Sequence, residues 1–218
     1  MKRVFTVLAL LIVVLLASVG AYLYSKQPTR QGQVELRNLQ GSVTVRYDER
    51  GVPHIRAENE TDLYRALGYV HAQDRLFQME AMRRLARGEL AEVLGPKLLD
   101  TDKLFRSLRI RERAARYVAS LDKQSPAWKA LQAYLDGINQ YQDSHAAPIE
   151  FDVLGIPKRP FTAEDSISVA GYMAYSFAAA FRTEPLLTYV RDQLGADYLN
   201  VFDLDWQPKG VLAKGHAN

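Results

Sequence analysis

From Tyr47 to Gly95 the chain reads YDERGVPHIRAENETDLYRALGYVHAQDRLFQMEAMRRLARGELAEVLG, and little freedom is left in how such a run can fold. Asp48-Glu49-Arg50-Gly51 is turn chemistry, because glycine accepts positive φ at no steric cost. Pro53 biases Val52 away from the helical region, so Val52-Pro53-His54-Ile55 is extended. Asn59 offers a side-chain oxygen to a helix start, with Asp62 three residues on as a short capping box. Leu63, Leu67, Val70, Phe77, Ala81 and Leu85 then recur on one face, which predicts one long amphipathic helix. Asp74 falls inside that stripe. A carboxylate there is costly unless paired, so Asp74 is expected to hold backbone or an arginine rather than to do chemistry. Glu80 and Arg84 have the spacing of a solvated i,i+4 pair. Gly88 is a helix break and Gly95-Pro96 a stop.

The flanking sequence adds strands before this run and helices after it. Ser42–Tyr47 alternates and is rich in β-branched residues, which predicts a strand, and Val34-Glu35-Leu36 predicts another short one. Lys103–Leu121 reads as a second helix with Leu104, Leu108, Ala115 and Val118 on its buried face. Its arginines, Arg106 to Arg116, read as a solvated face. Ser125-Pro126 opens a third helix, Ser as cap and Pro at the first position, with Trp128, Leu131, Leu135 and Ile138 as its apolar stripe. Ile149–Phe161 is punctuated by Gly155, Pro157 and Pro160 and reads as a loop. Thr162 caps the next helix, Glu164 and Asp165 in its first turn. Ile167–Phe181 is almost uncharged and small-sided. Pro185 is expected to begin a last helix that runs to Gly195.

Ahead of all this, Lys2 and Arg3 precede an apolar run from Val4 to about Tyr24. That pattern is an export leader, with Val19-Gly20-Ala21 as small residues for cleavage, or an uncleaved signal anchor. Either places the remainder outside the cytoplasmic membrane. The boundaries are then a leader at 1–26, a flexible joint at 27–33, a main region at 34–208 and a polar end at 209–218. Without Lys2, Arg3 and Lys26 the net charge falls from +3 to 0, so nucleic-acid binding has no support. The chain has no cysteine, which excludes disulfides and thiolate metal sites.

Motifs that would place chemistry in the chain are missing. There is no HExxH, phosphate loop, GxSxG or GxGxxG. His54, His71, His145 and His216 are scattered without metal-ligand spacing, and His54 and His71 read as structural.

The blocks GVPHI, GYVHAQDRLFQME and GELAEVLG, in that order, resemble the opening of the penicillin acylase (penicillin amidase) family of N-terminal-nucleophile hydrolases. The resemblance covers most of the chain beyond the leader. It implies an α+β fold, the family's four-layered αββα core, to which this chain adds mainly helices and a few strands completed by a β chain. It implies that the chain is leader plus α chain of a precursor that is cut into α chain, spacer and β chain. The nucleophile would be the N-terminal serine of β, beyond Asn218, with its own α-amine as base. That amine has a pKa of about 7.7–8.0 and is substantially neutral near pH 8. No catalytic residue is expected in this chain. The family's pocket methionine and phenylalanine fall on Met173 and Phe177, four apart and so on one helix face. The family's arginine toward the substrate carboxylate is replaced here by Ser176. This departs from the penicillin G-cleaving pattern, and Ala178 to Ala180 suit a roomier pocket, as for the fatty acyl chains of acyl-homoserine lactones. With one residue inserted after Phe177, the family's calcium glutamate falls on Glu184, which would need β-chain carboxylates to complete the shell. The resemblance thus implies a periplasmic amidase acting on an N-acyl amide. The rival is a membrane-tethered helical binding or scaffold protein derived from the family. A Ser-Asn pair before an apolar strand, read beyond Asn218, separates the two.

Overall fold

The computed structural model describes residues 2–178 and 180–202, without the side chains of residues 2–6, 8, 9, 180–182 and 202. The chain divides into two compact units, residues 1–172 and 173–218.

In the first unit, α1 (Lys2–Ser25) leaves its apolar side chains from Leu10 to Leu16 exposed. Among the described residues no helix is long and apolar enough to cross a membrane. Val34-Glu35-Leu36 forms no strand. Leu36 instead packs on the core, and the Gln140 amide binds both backbone polar groups of the next residue. Arg37 N–H donates to Gln140 Oε1 at 2.7 Å, and Gln140 Nε2 donates to Arg37 O at 3.2 Å. A side-chain amide thus takes the place that a neighbouring strand would fill.

The hairpin forms where the turn chemistry predicts it. β1 (Thr44–Tyr47) and β2 (Pro53–Arg56) pair antiparallel, Thr44 opposite Arg56 and Tyr47 opposite Pro53. The Asp48 carboxylate accepts the N–H groups of Arg50 and Val52 and closes the turn.

The long helix α2 (Glu60–Arg87) starts at Asn59, whose side chain accepts the N–H of Asp62 at 2.8 Å, and ends at Gly88 in the left-handed conformation. Arg75 departs from helical geometry (φ −139°, ψ 20°), so α2 carries a kink that its apolar periodicity does not signal. The buried face also differs from the expected stripe. Ala66, Tyr69, Val70, Ala72, Leu76 and Ala86 are buried, while Leu63, Leu67, Phe77, Ala81 and Leu85 are only half-buried. The face is turned because polar residues are buried beside it. Asp62 is one: it accepts from Asn59 Nδ2, from the N–H groups of Gln40 and Gly41, and from Arg65. It ties the segment before the hairpin to the start of α2.

α6 (Pro126–Ser144) is capped by Ser125, which accepts from Trp128 N–H, with Pro126 at its first position. It crosses α2 at two glycines. A Cβ on Gly68 would lie 1.9 Å from Tyr134 O, and one on Gly137 would lie 1.9 Å from Arg65 O. The two backbones touch, and no side chain can move aside to admit a methyl group. Around this crossing Tyr69, Ala72, Leu76, Leu135, Ile138 and Tyr141 form the core. The stripe read from the sequence is therefore correct for α6 at Leu135 and Ile138, with Trp128 and Leu131 partly buried.

The expected helix over Lys103–Leu121 is two helices. α3 (Ala91–Leu94) is a single turn; α4 (Leu99–Ser107) and α5 (Ile110–Ser120) follow, broken at Arg109, whose φ is 54°. The break resets the face. Phe105, Ile110, Ala114 and Val118 are buried, whereas Leu104 and Ala115 are exposed. Ile149–Leu154 forms a short helix, α7, where a loop was expected, ended by Gly155 at φ 64°. α8 (Ala163–Phe177) begins in the first unit. In the second unit α9 runs Ala180–Leu194, so it starts five residues before Pro185, which lies inside it.

Two outcomes test this architecture. Gly68→Ala should destabilise by about 3 kcal/mol, since overpacking a backbone contact has no inexpensive relief; thermal melting against Gly20→Ala, which meets nothing within 4 Å, is the check. The second concerns acid. Burial alone would raise the Asp62 carboxyl, but Asn59, the two N–H groups and Arg65 outweigh it and hold it below the ordinary range. A carboxyl depressed on folding stabilises fully above its unfolded value of about 3.9 and loses that contribution as pH falls through the lower folded value. Asp62→Asn should therefore flatten the loss of stability below about pH 4 seen in a pH series of melts.

Candidate functional site

The residues that carry the expected site sit on α8 and α9, and what fixes α8 is a buried ionic cluster at its start. Thr162 and Asp165 cap it reciprocally. Asp165 N–H donates to Thr162 Oγ1 at 3.3 Å, while Thr162 N–H donates to Asp165 Oδ2 at 3.0 Å. Two arginines of α2 then reach the same carboxylate, Arg83 to Oδ2 at 3.3 Å and Arg87 to Oδ1 at 2.8 Å. Arg83 and Arg84 both bind Glu80, which is 0 % exposed, and Arg159 adds a third guanidinium at 3.3 Å. Glu80 and Arg84 are thus not a solvated pair. The i,i+4 spacing is as read, but both lie inside the protein.

The cluster extends to Glu89, which binds Arg87 at 3.0 Å and Arg159 at 3.3 Å, and to Glu92, which binds Arg84 at 3.0 Å. Arg111, itself exposed, adds a fifth guanidinium 3.7 Å from Glu89, so every carboxylate of the cluster faces at least one arginine. Burial would raise the Glu89 carboxyl, but Arg87 and Arg159 outweigh it and hold it below its ordinary range. Arg83 also lies over the Phe161 ring, 4.0 Å from its centroid, an attractive cation–π geometry. The sequence signal for all this was present: Thr162-x-x-Asp165 is a capping pair, and Glu80 stands three and four residues before two arginines. Helical spacing alone did not say that another element covers them.

Farther along α8, Gly171 faces Ile110 closely and the Tyr172 ring lies 5.5 Å from Phe105. In the second unit, Met173 is 48 % and Phe177 81 % exposed, four residues apart on one face of α8. Ser176 donates to Met173 O at 2.8 Å, so its hydroxyl satisfies its own helix. Glu184 is exposed and lies within α9 rather than ahead of a helix. Ala179 and the residues from 203 onward fall outside the described residues, as do the side chains of Ala180 and Arg182, so part of the expected roomier pocket and the polar end at 209–218 do too. Among the described residues no group of three or more His, Asp or Glu side chains could hold a metal. Calcium takes about six to eight oxygens. This chain's described residues therefore do not by themselves fit a calcium ion.

The remaining candidates have structural partners. His54 meets Asp48 at 3.3 Å and His71 meets the Tyr134 hydroxyl at 3.0 Å. Burial pushes the His71 imidazole down, against the pull of Asp74. His145 stacks on Tyr141 and contacts Ser144 Oγ at 2.9 Å, which has the look of a nucleophile–base pair. But Ser144 donates to Gln140 O at 2.7 Å, and the other ring nitrogen of His145 meets the Tyr69 hydroxyl at 3.5 Å, not an acid. Asp74 pairs with Arg30 at 3.7 Å, the structural role expected for it. His216 lies outside the described residues.

Fold and site together define an α+β chain, mostly helical, with bulky apolar side chains at the end of α8 and an exposed Glu184 on α9. The chain belongs to the penicillin amidase family, whose model matches residues 42–210. It is 42 % identical over 143 residues to a penicillin acylase 2 proenzyme of Pseudomonas sp. (strain SE83), covering 65 % of this chain and 18 % of that protein. It is 33 % identical over 183 residues to the acyl-homoserine lactone acylase QuiP of Pseudomonas putida, covering 83 % of this chain and 22 % of that protein. The chain thus spans about a fifth of the length of the curated relatives it matches. Among solved structures it matches a thermostable penicillin G acylase from Alcaligenes faecalis with a TM-score of 0.56 and 29 % identity, over 74 % of this chain and 88 % of that one.

If the ionic cluster fixes α8, Glu80→Gln should destabilise by about 3–5 kcal/mol, because Arg83 and Arg84 lose their buried counter-charge. The Asp165→Asn variant should loosen chiefly α8, and hydrogen exchange of α8 amides against those of α6 reads the difference.

Proposed function

We propose that the chain is the α-subunit part of an exported, periplasmic precursor whose complete enzyme hydrolyses an N-acyl amide. In that enzyme the acyl group passes to a serine at the N-terminus of a β chain and then to water. The observation that carries the reading is a difference of length. Relatives named as an acylase proenzyme and an acyl-homoserine lactone acylase are about five times longer than the matched segment, yet the segment covers 88 % of a chain in the solved penicillin G acylase. A matched segment that covers most of one crystallised chain is what a subunit of a processed precursor would give.

Within that enzyme, Met173 and Phe177 form one wall of the acyl pocket. Their support is their exposure as bulky apolar side chains on one helix face, since such surface is usually covered by a ligand or a partner. Ser176 offers no cation to a substrate carboxylate, which favours acyl amides of neutral leaving groups, such as acyl-homoserine lactones, over penicillins. Glu184 contributes one ligand to a structural calcium ion, and β-chain oxygens supply the others.

The test uses the complete αβ enzyme and a series of N-acyl amides of increasing chain length. Phe177→Ala should move the ratio of kcat/KM for long and short chains by at least about tenfold, the scale of a few methylenes in an apolar pocket. An unchanged profile removes Phe177 from the pocket, and no turnover of any N-acyl amide by the wild type removes the reading itself.

A further inference from the structure

The segment that joins α1 to the body is held by side chains alone. Residues 28–36 make no backbone–backbone hydrogen bond among the described residues. Two cations hold it. Lys26 Nζ donates to Ala147 O at 2.8 Å and pairs with Asp152 at the start of the segment. Four residues on, Arg30 enters a three-sided recess. Its guanidinium lies 5.2 Å from the centroid of the Tyr47 ring and 3.7 Å from Asp74 Oδ1, and a Cβ on Gly51 would come within 3.2 Å of its Nη1.

Asp74 is suited to such an occupant. It adjoins the kink of α2 at Arg75, and its Oδ1 is buried without a hydrogen-bond donor among the described residues. Arg30 is the cation that faces it. The three groups feel one another: burial and the Asp74 charge push the Tyr47 phenol up, and Arg30 opposes them. Behind the segment lies a cavity of about 410 Å³. Residues 29–36 form one wall; Tyr47, Tyr69, Val70 and Gln73 are on the other.

We infer that Asp74, Tyr47 and the Gly51 turn form a guanidinium socket, and that Arg30 in this socket makes residues 26–33 a strap closed over the cavity. Lys26 on Asp152 is the second clasp. Opening the strap exposes the two tyrosines and Val70 without unfolding α2 or α6, since neither helix draws a backbone hydrogen bond from it.

Limited trypsin digestion of the full-length precursor under native conditions tests this, because Lys26, Arg30 and Arg37 bracket the strap. Half-exposed ion pairs are worth little singly. Asp74→Asn and Asp152→Asn should each speed cleavage in this segment by about two- to fivefold, and the double variant by about the product. Arg30→Gln should speed cleavage after Lys26 and Arg37 by a similar factor with an unchanged melting temperature, which separates strap opening from any weakening of α2 by the Asp74 substitution. Cleavage in Arg30→Gln at the wild-type rate would overturn the proposal. So would a rise in the variants spread over the whole chain rather than confined to residues 26–37.

Discussion

Glu80 is the residue on which the order at the start of α8 depends. A lone carboxylate with no exposure would be intolerable in a protein interior. Here three guanidiniums surround it, two from its own helix and one from Arg159. The arrangement does more than neutralise a charge. Arg83 carries the connection from Glu80 to Asp165, and Asp165 is also the capping residue of α8. One continuous path of charge-assisted hydrogen bonds therefore runs from the last third of α2 to the first turn of the helix that bears Met173 and Phe177. Buried ion networks are poor sources of net stability but good sources of specificity, because any other register leaves charges unpaired. The placing of the first turn of α8 against α2 is the property such a network can dictate.

The network works because a second, apolar constraint sets the helices first. At Gly68 and Gly137 the backbones of α2 and α6 meet with no room for a methyl group. That contact brings Tyr69, Leu76, Ile138 and Tyr141 into one core. The contact fixes the α2–α6 pair, and the arginines only have to hold what is added to it. The same division appears at the other end of α2. Asp62 accepts from Gln40, Gly41, Asn59 and Arg65, and so fixes the segment before the hairpin. Two buried carboxylates, near opposite ends of one helix, thus organise the irregular parts of the chain.

Much of this was legible before the structure. The turn at Asp48–Gly51, the caps at Asn59, Ser125 and Thr162, and the stop at Gly88 are local chemistry, and local chemistry is what a sequence states directly. The family was legible too, from three ordered blocks. The failures share one cause. The stripe on α2 was placed by hydrophobicity alone, and burial of Asp62, Arg65, Glu80, Arg83 and Arg84 turned the helix away from it. Periodicity cannot see that a charge will be paired by an element 80 residues away. Likewise, Lys103–Leu121 kept its helical pattern through Arg109, and only the positive φ at that residue reveals the break. Of the site, the sequence could name Met173, Ser176, Phe177 and Glu184 only through resemblance. Their own spacing says no more than that two of them share a face.

The contrast between the two units bears on how such a chain works. In the described part of residues 1–172, almost every buried polar group finds its partner within the chain, and the core beyond α1 is built on α2 and α6, while α1 leaves its apolar side chains open. In the described part of residues 173–218, bulky apolar side chains lie open: Phe177, Leu186, Tyr189, Tyr198 and Val201 are all exposed. An apolar helix end gains nothing from solvent, and single exposed residues of this kind are unremarkable only when scattered. Here they recur along consecutive helices that also carry the family's expected pocket residues. The physical consequence is a division of labour within one chain. The first unit is stabilised by its own contacts and holds the base of α8. The second exposes bulky apolar side chains among its described residues.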